Sequence, residues 1–272
     1  MKEFCNMTQI LFPTQTDRPL VFYLAAEEYV ARKLPCQESV FFWNVAPTVI
    51  FGRNQIMSAE VNIDWCSDNG VNVVRRKSGG GCVYADRGNL MVSYISPGLD
   101  AGQAFTRYLR MMSGALCEAG LAAEVSGRND ISVDGMKVSG NAFYTVGGAS
   151  IVHGTLMYDV DIDAMSRAIT PSPRKLHRKG VESVRQRVCN LRRKLEDSSP
   201  GMFPDISSLA SWLAARFFDE SISLMDWHSG SVPGMPVCLL SEEDETSISE
   251  LSEKYLDPCF ILGKERQNEN LL

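Results

Sequence analysis

Residues 127–143 read GRNDISVDGMKVSGNAF, and the Asp134-Gly135 pair at their centre decides how the surrounding chain folds. A two-residue type I′ turn needs positive φ at both central positions, which Asp-Gly supplies. The flanks, 131–133 and 136–138, are β-prone. A hairpin closed by this turn sets Val133 opposite Met136, Ser132 opposite Lys137, Ile131 opposite Val138 and Asp130 opposite Ser139. Opposed residues share a face, and faces alternate along a strand. Ile131, Val133, Met136 and Val138 then make a core face. Asp130, Ser132, Lys137 and Ser139 make the other, so a lysine sits beside a carboxylate on the polar side of a half-buried hairpin. A solvated face would give the same pattern, with an ion pair worth ~0–1 kcal/mol. The neighbouring stretches weigh between the two.

Upstream, a strand at 71–74 runs directly into RRKSGGGCVYADRGN at 75–89. Gly79, Gly80 and Gly81 carry no Cβ, so the backbone there can bend sharply and approach a ligand. Their N–H groups can form an anion-binding nest, and Arg75 and Arg76 place positive charge beside it. A bulge or a flexible turn is the plainer alternative. The paired arginines and a strand on each side favour a cradle for phosphate or carboxylate. The spacing fits neither a P-loop nor a dinucleotide-binding G-x-G-x-x-G. Residues 86–89 form a turn, and a strand returns over 90–95.

Elsewhere the pattern predicts an amphipathic helix over 17–34, with Asp17 capping, Pro19 in its first turn and Pro35 stopping it. Strands follow at 40–43 and 48–51, a loop at 52–55, and a short helix at 61–68 ended by Asn69-Gly70. Residues 101–119 read as a helix with Phe105, Leu109, Met112 and Leu116 on one stripe. A second hairpin, 143–146 with 150–158, turns at Gly147-Gly148 and carries His153, a residue more often structural than catalytic in such a place. Helices are expected at 161–169, 205–218 and 246–255, and a strand at 221–225. Residues 174–194 hold nine Lys or Arg in an otherwise acidic chain. That stretch is either a solvated face or a dock for an acidic partner or a phosphate.

The 272 residues, 44% hydrophobic and 22% charged, are ordinary globular material, enough for one large domain or one with an appendage. A net charge of −6 argues against a general nucleic-acid binder. The eight cysteines include no C-x-x-C pair, which argues against a zinc site. With no leader-like amino terminus and no long apolar run, the expectation is a soluble, cytoplasmic protein with free thiols, without membrane or nucleic-acid partners.

Four ordered stretches resemble the lipoate–protein ligase family: RRKSGGGCVYADRGN, GRNDISVDGMKVSGNAF, HGTLMY at 153–158 and KGVESVRQRVCNL at 179–191. The resemblance implies an α+β fold of the biotin–lipoate ligase and class II synthetase type, a mixed, mostly antiparallel β-sheet core flanked by helices. It implies a catalytic domain over 1–240. It sets 241–272, with YLDPCFILGK at 255–264, where longer relatives begin an accessory domain that this chain lacks. Lys137 aligns with the catalytic lysine that contacts lipoate and the adenylate. Arg76, Gly81, Cys82, Val83, Tyr84, Asn129 and Asp130 fall on nucleotide-binding positions. Arg76, Ser78, Gly79, Gly80 and His153 fall on lipoate-binding ones, and Asp130 is the candidate metal ligand. Cys82 stands where the family often has alanine, and Ala85 where histidine is frequent.

The implied substrates are ATP and lipoate, or preformed lipoyl-AMP, with Mg²⁺. The implied acceptor is a lysine on the lipoyl-carrier domain of a 2-oxoacid dehydrogenase E2 subunit or on glycine cleavage H protein. A separate small accessory chain is a further implied partner. The chemistry agrees: adenylate formation concentrates negative charge on a phosphate, which Lys137, Arg76 and the glycine-loop N–H groups would stabilise. The apolar strands near Val71 and the hairpin are expected to house the acyl chain. Two rivals stand beside this reading. One is an ATP-independent octanoyl or lipoyl transferase with a cysteine acyl-enzyme, for which Cys82 is the only thiol in a binding motif. The other is a non-catalytic carrier-binding relative. Biotin ligation lacks its glycine–arginine signature here.

Overall fold

The computed structural model describes residues 7–13, 17–34, 37–169, 188–219, 221–229, 234 and 236–263. Its body is a sheet of eight strands: β1 (Thr8–Leu11), β2 (Ser39–Trp43), β6 (Asn89–Ser96), β7 (Ala123–Ser126), β8 (Asp130–Val133), β9 (Met136–Val146), β10 (Ala149–Met157) and β11 (Val237–Leu239). They lie in the order β11-β1-β2-β6-β10-β9-β8-β7. β1 runs parallel to β11 and β2, and the remaining neighbours are antiparallel. A smaller sheet joins β3 (Thr48–Phe51) to β4 (Asn72–Arg75) in parallel and to β5 (Val83–Ala85) in antiparallel. The α+β architecture, mixed and mostly antiparallel, is as the sequence implied.

Ten helices are described: α1 (Leu20–Lys33), α2 (Met57–Glu60), α3 (Ile63–Asp68), α4 (Ala101–Glu118), α5 (Ile162–Ala168), α6 (Arg192–Ser198), α7 (Ile206–Phe218), α8 (Leu224–Ser229), α9 (Glu242–Leu256) and α10 (Pro258–Leu262). β6 shows how they are layered. Leu90, Val92 and Tyr94 pack with α4 and α7, while Met91 and Ile95 pack with α1 and α9. A strand covered on both faces carries no polar alternation, and the one polar residue between Leu90 and Ile95, Ser93, is buried and hydrogen-bonded to Trp43 and Glu27. The small sheet makes a third core with α3 and α5.

Four expectations need correction. Asp17 does not cap α1. Pro19 occupies the cap position without a side-chain bond, and Asp17 pairs with Arg87 on the surface. Nor is α1 amphipathic: it lies between the sheet and α9, with Glu27 and Glu28 buried along with its apolar residues. Residues 221–225 form no strand among the described elements. Ser223 exchanges hydrogen bonds with Asp226 through N–H and hydroxyl, a local cap that starts α8 instead. The last long helix begins at Glu242 rather than 246, because Ser241 and Asp244 form a capping box. The greater part of the basic stretch, 170–187, lies outside the described residues, as do Pro35 and the region from 264 onward.

Candidate active site

The hairpin turns as its sequence demands, with φ of 52° at Asp134 and 73° at Gly135. Its register differs from the simple ladder beyond the second pair. Val133 faces Met136 and Ser132 faces Lys137, but Ile131 faces Ser139 and Asp130 faces Gly140. Val138 is the extra residue of a β-bulge, and a bulge re-aims the side chains around it. The alternation of β9 therefore changes phase between Lys137 and Gly140. Lys137, before the bulge, joins the side of the sheet occupied by Gly140 and Ala142 after it. A bridge to Val188 and a bond from the Cys189 N–H to the Lys137 carbonyl fix this irregular segment. The end of the basic motif is thus anchored at the lysine it follows by fifty residues. Of the three described cations at the end of the basic stretch, Arg192, Arg193 and Lys194, the first pairs with Asp159 at 2.6 Å and the last with Asp134 at 2.5 Å.

Lys137 opens onto a cleft whose empty space, mouth included, is about 600 Å³, within the usual range for small-molecule sites. The cleft lies between the large sheet, the small sheet and α1. Gly80, Gly81, Cys82, Arg76, Asn129 and Lys137 supply backbone and polar groups to its lining. Leu24, Trp43, Ile50, Val83, Met91 and Ala142 supply apolar surface to the same cleft. Lys137 Nζ rests 2.8 Å from Asp130 Oδ1. The lysine and the glycine bend thus face one common space. The strand after Val71 does not line it; Val71 packs in the third core, and the apolar wall comes from α1, β2, β3 and β6 instead.

The remaining site residues divide by where their polar atoms go. Arg76 is buried, and its guanidinium donates to the Ser78 hydroxyl at 3.0 Å and to the carbonyls of Ile50 at 3.0 Å, Gly79 at 2.7 Å and Gly81 at 2.7 Å. Burial pulls its pKa down to about 10, which leaves it cationic at neutral pH. All four acceptors are neutral, so a positive charge sits at the cleft wall with dipoles alone around it. Such a charge favours an anion nearby. The bend itself needs glycine at Gly80, where φ is 90°.

Ser78 is buried behind the loop, its hydroxyl hydrogen-bonded to His153 Nε2 at 2.6 Å. His153 Nδ1 lies 3.0 Å from the Glu27 carboxylate, which also accepts from Ser93 at 2.6 Å and Tyr144 at 3.0 Å. His153 lines the cleft, but both ring nitrogens are engaged behind it. Ser78, Gly79 and Asp130 do not line the cleft themselves; Ser78 bonds to Arg76 and His153, and Asp130 pairs with Lys137, which do. Tyr84 lies deeper still, in the third core, its pKa pushed up to about 12 by burial and then by Asp86.

Asn129, which motif reading placed with the nucleotide, and Asn141, Gly140 and Gly154, which it passed over, complete the walls. Asn129 and Asn141 clamp β8 to β9, each side-chain amide donating to the other's carbonyl, at 2.9 and 3.0 Å. A Cβ at Gly154 would come within 1.9 Å of Asn141 Oδ1 and 2.6 Å of Tyr108 Oη. A Cβ at Gly140 would come within 2.9 Å of Lys137 Nζ. Glycine inside a strand marks close approach, and that signal was present in SGNAF and HGTLMY. Among the described residues no group of three His, Cys, Asp or Glu could hold a metal ion. Asp130 can offer one carboxylate, which fits a Mg²⁺ that takes its other oxygens from phosphates and water. No helix among the described residues is long and apolar enough to cross a membrane.

Residues 19–206 match the family model for the lipoyl protein ligase A/B catalytic domain. A lipoate-protein ligase of Bacillus subtilis is 36% identical over 246 residues, 89% of this chain and 70% of that relative. Lipoate–protein ligase 1 of Staphylococcus aureus is 42% identical over 178 residues, 64% of this chain and 54% of that one. The chain thus spans between about half and seven-tenths of these curated relatives. Among solved structures, the bi-partite lipoate protein ligase of Thermoplasma acidophilum, studied with its E2 lipoyl domain, superposes with a TM-score of 0.75 at 25% identity, over 94% of this chain and 96% of that one. The cleft with its lysine and glycine bend and the matched catalytic domain lead to one conclusion: the chain belongs to the lipoyl protein ligase A/B catalytic domain family.

Proposed function

We propose that this chain is an ATP-dependent lipoate–protein ligase, which forms or uses lipoyl-AMP and transfers the lipoyl group to a lysine of a carrier domain. The observation that carries the reading is the meeting of Lys137, a buried guanidinium with neutral hydrogen-bond partners and a glycine bend in one cleft that apolar side chains also line. A mixed anhydride of a fatty acid and a nucleotide calls for both kinds of wall. Its acyl tail suits Leu24, Trp43, Ile50 and Met91, at about 0.8 kcal/mol per buried CH₂. Its phosphate suits Lys137 and the glycine bend.

The chemistry follows from the same placement. Lys137 leaves Asp130 for the ligand, where its ammonium stabilises charge on the phosphate and then on the oxyanion that develops as the carrier amine attacks the carbonyl carbon, before AMP leaves and the amine gives up its proton. Arg76 shapes the bend and supplies a fixed positive potential. Asn129 positions β8 and β9. Gly81, Cys82 and Val83 present the loop edge to the nucleotide. Mg²⁺, when bound, would neutralise phosphate charge, with Asp130 the nearest carboxylate. The proposal includes E2 lipoyl domains and glycine cleavage H protein as acceptors. It includes 1–240 as the catalytic unit, 241–272 as the segment where longer relatives continue, and a small accessory chain that completes ATP activation. A cytoplasmic location belongs to it too, in keeping with the free thiols among the described residues.

The test is Lys137→Ala supplied with purified lipoyl-AMP and a carrier domain. One preorganised donor is worth ~2.7–4 kcal/mol, so transfer should fall about 100- to 1,000-fold. Undiminished transfer would remove Lys137 from the mechanism. The thioester alternative has one observation in its favour: Cys82 lines the cleft and is half-buried. An acyl adduct on Cys82 by intact mass, with turnover in the absence of ATP, would select it.

A further inference from the structure

Three consecutive cations, Arg75, Arg76 and Lys77, lead into the glycine bend, and only the middle one faces the cleft. The outer two reach in the opposite direction, to the carboxyl-terminal helices. Arg75 Nε donates to the Ile261 carbonyl at 2.8 Å and Nη2 to that of Leu262 at 3.5 Å, at the end of α10. Its Nη1 grips the loop beside the bend, donating to Arg53 O at 2.8 Å and Gln55 O at 2.9 Å. That loop holds the bend directly: Arg53 N–H donates to Ser78 O at 3.0 Å, and a Cβ on Gly52 would lie 2.5 Å from Gly80 O. Lys77 pairs with buried Glu28 and lies 4.8 Å from the centre of the Tyr255 ring on α9. The Tyr255 hydroxyl closes this second tie, donating to Glu28 and to Leu24 O. Leu24 itself lines the cleft.

We propose that α9 and α10 are a positioning element of the cleft, and that Arg75 and Lys77, with Glu28 and Tyr255, transmit their docking to the shape of the glycine bend. The ties are chemically selective. A helix carboxyl terminus presents unpaired carbonyls, and a forked guanidinium can hold two of them while holding the neighbouring loop, which a lysine cannot. A buried carboxylate needs its cation, so Glu28 draws Lys77 towards α9 and away from the ligand. The cleft therefore reads the state of a segment that contributes no lining residue. Undocking of α9 and α10 loosens the bend without touching Lys137.

The part of this inference that concerns the ligand rests on the proposed function; the part that concerns the loop does not. Two measurements separate them, each made on the full chain. The first is hydrogen exchange across residues 75–85 in Arg75→Lys and Lys77→Met, with β6 and α4 as internal references. The second is affinity for purified lipoyl-AMP by calorimetry. Exchange in the loop should speed up about tenfold with the references unchanged, and affinity should weaken about tenfold, a typical size for coupling through packed elements. Lys77→Met combined with Glu28→Gln avoids a stranded buried charge and keeps the test open if the single variant folds poorly. Tyr255→Phe, which deletes one hydroxyl, should give a smaller effect of the same sign. Loop exchange unchanged in every variant overturns the inference, and so does acceleration spread equally over β6 and α4. Failure of the unaltered chain to bind lipoyl-AMP would count against the proposed function, while the exchange result would still decide the coupling.

Discussion

Lys137 owes its place in the cleft to small neighbours. Gly140 is the nearest, and a methyl group there would meet only the far end of a flexible lysine. Gly140→Ala should therefore leave stability within about 0.5 kcal/mol. Transfer from lipoyl-AMP should still fall about tenfold, since small misplacements of a catalytic group are expensive. Comparing kcat/KM with the denaturation midpoint checks both halves. Gly154 is the contrasting case, because its neighbours Asn141 and Tyr108 are buried and cannot swing away. The lysine, the glycine bend and the Asn-Asp pair were legible because each carries unusual chemistry in a short motif. Glu27 and Glu28 were not. In sequence they look like the wet side of a helix, and the partners that bury them, His153, Lys77 and Tyr255, lie 49 to 227 residues away.

At the scale of elements, the turn was legible and the ladder beyond it was not. Asp-Gly fixes backbone torsions locally, whereas the bulge depends on Val138 finding room in the core beside Ile131 and Val133. An apolar residue satisfies either phase of the strand, so nothing in the letters marks the extra one. Gly135→Ala would place a Cβ at a φ of 73°. It should destabilise the chain by about 1 kcal/mol, with an unchanged slope in denaturant. A larger loss, with a changed slope, would mean that the hairpin is a nucleus for the whole sheet rather than a local clasp. The strand expected at 221–225 failed for a related reason: β-prone residues there are overruled by one serine–aspartate cap.

At the scale of the molecule, individual strands and helices were legible from periodicity and the sheet-and-helix architecture from the family resemblance, but the docking of the carboxyl-terminal helices on α1 was not legible. That docking joins apolar packing of Ile248 and Tyr255 against α1 to a set of ion pairs. Asp244 meets Lys33 and accepts from the Tyr29 hydroxyl at 2.5 Å, and Arg18 meets Glu245. Burial alone would raise the Asp244 carboxyl. The bonds from Lys33, Tyr29 and Ser241 outweigh it and hold the group well below the ordinary carboxylate range. A depressed folded-state pKa means that this contribution is complete above the unfolded value, about 4, and is lost as pH falls below it. Thermal unfolding followed from pH 6 to pH 3 should steepen in the unaltered chain below about pH 4. Asp244→Asn should start from a lower melting temperature and lose less over that interval. Equal slopes would show that other carboxylates govern the acid limit.

Glu27 and Glu28 are neighbours in one turn of α1, yet the first answers to His153 and the second to Lys77 and Tyr255. As letters the two are identical, and only their partners tell them apart. Their duties are not interchangeable. A homologue built without the carboxyl-terminal helices has no use for an acid at the second column but keeps its use for the first. The pattern of survival at this dipeptide is thus a written record of whether a given descendant still carries the brace.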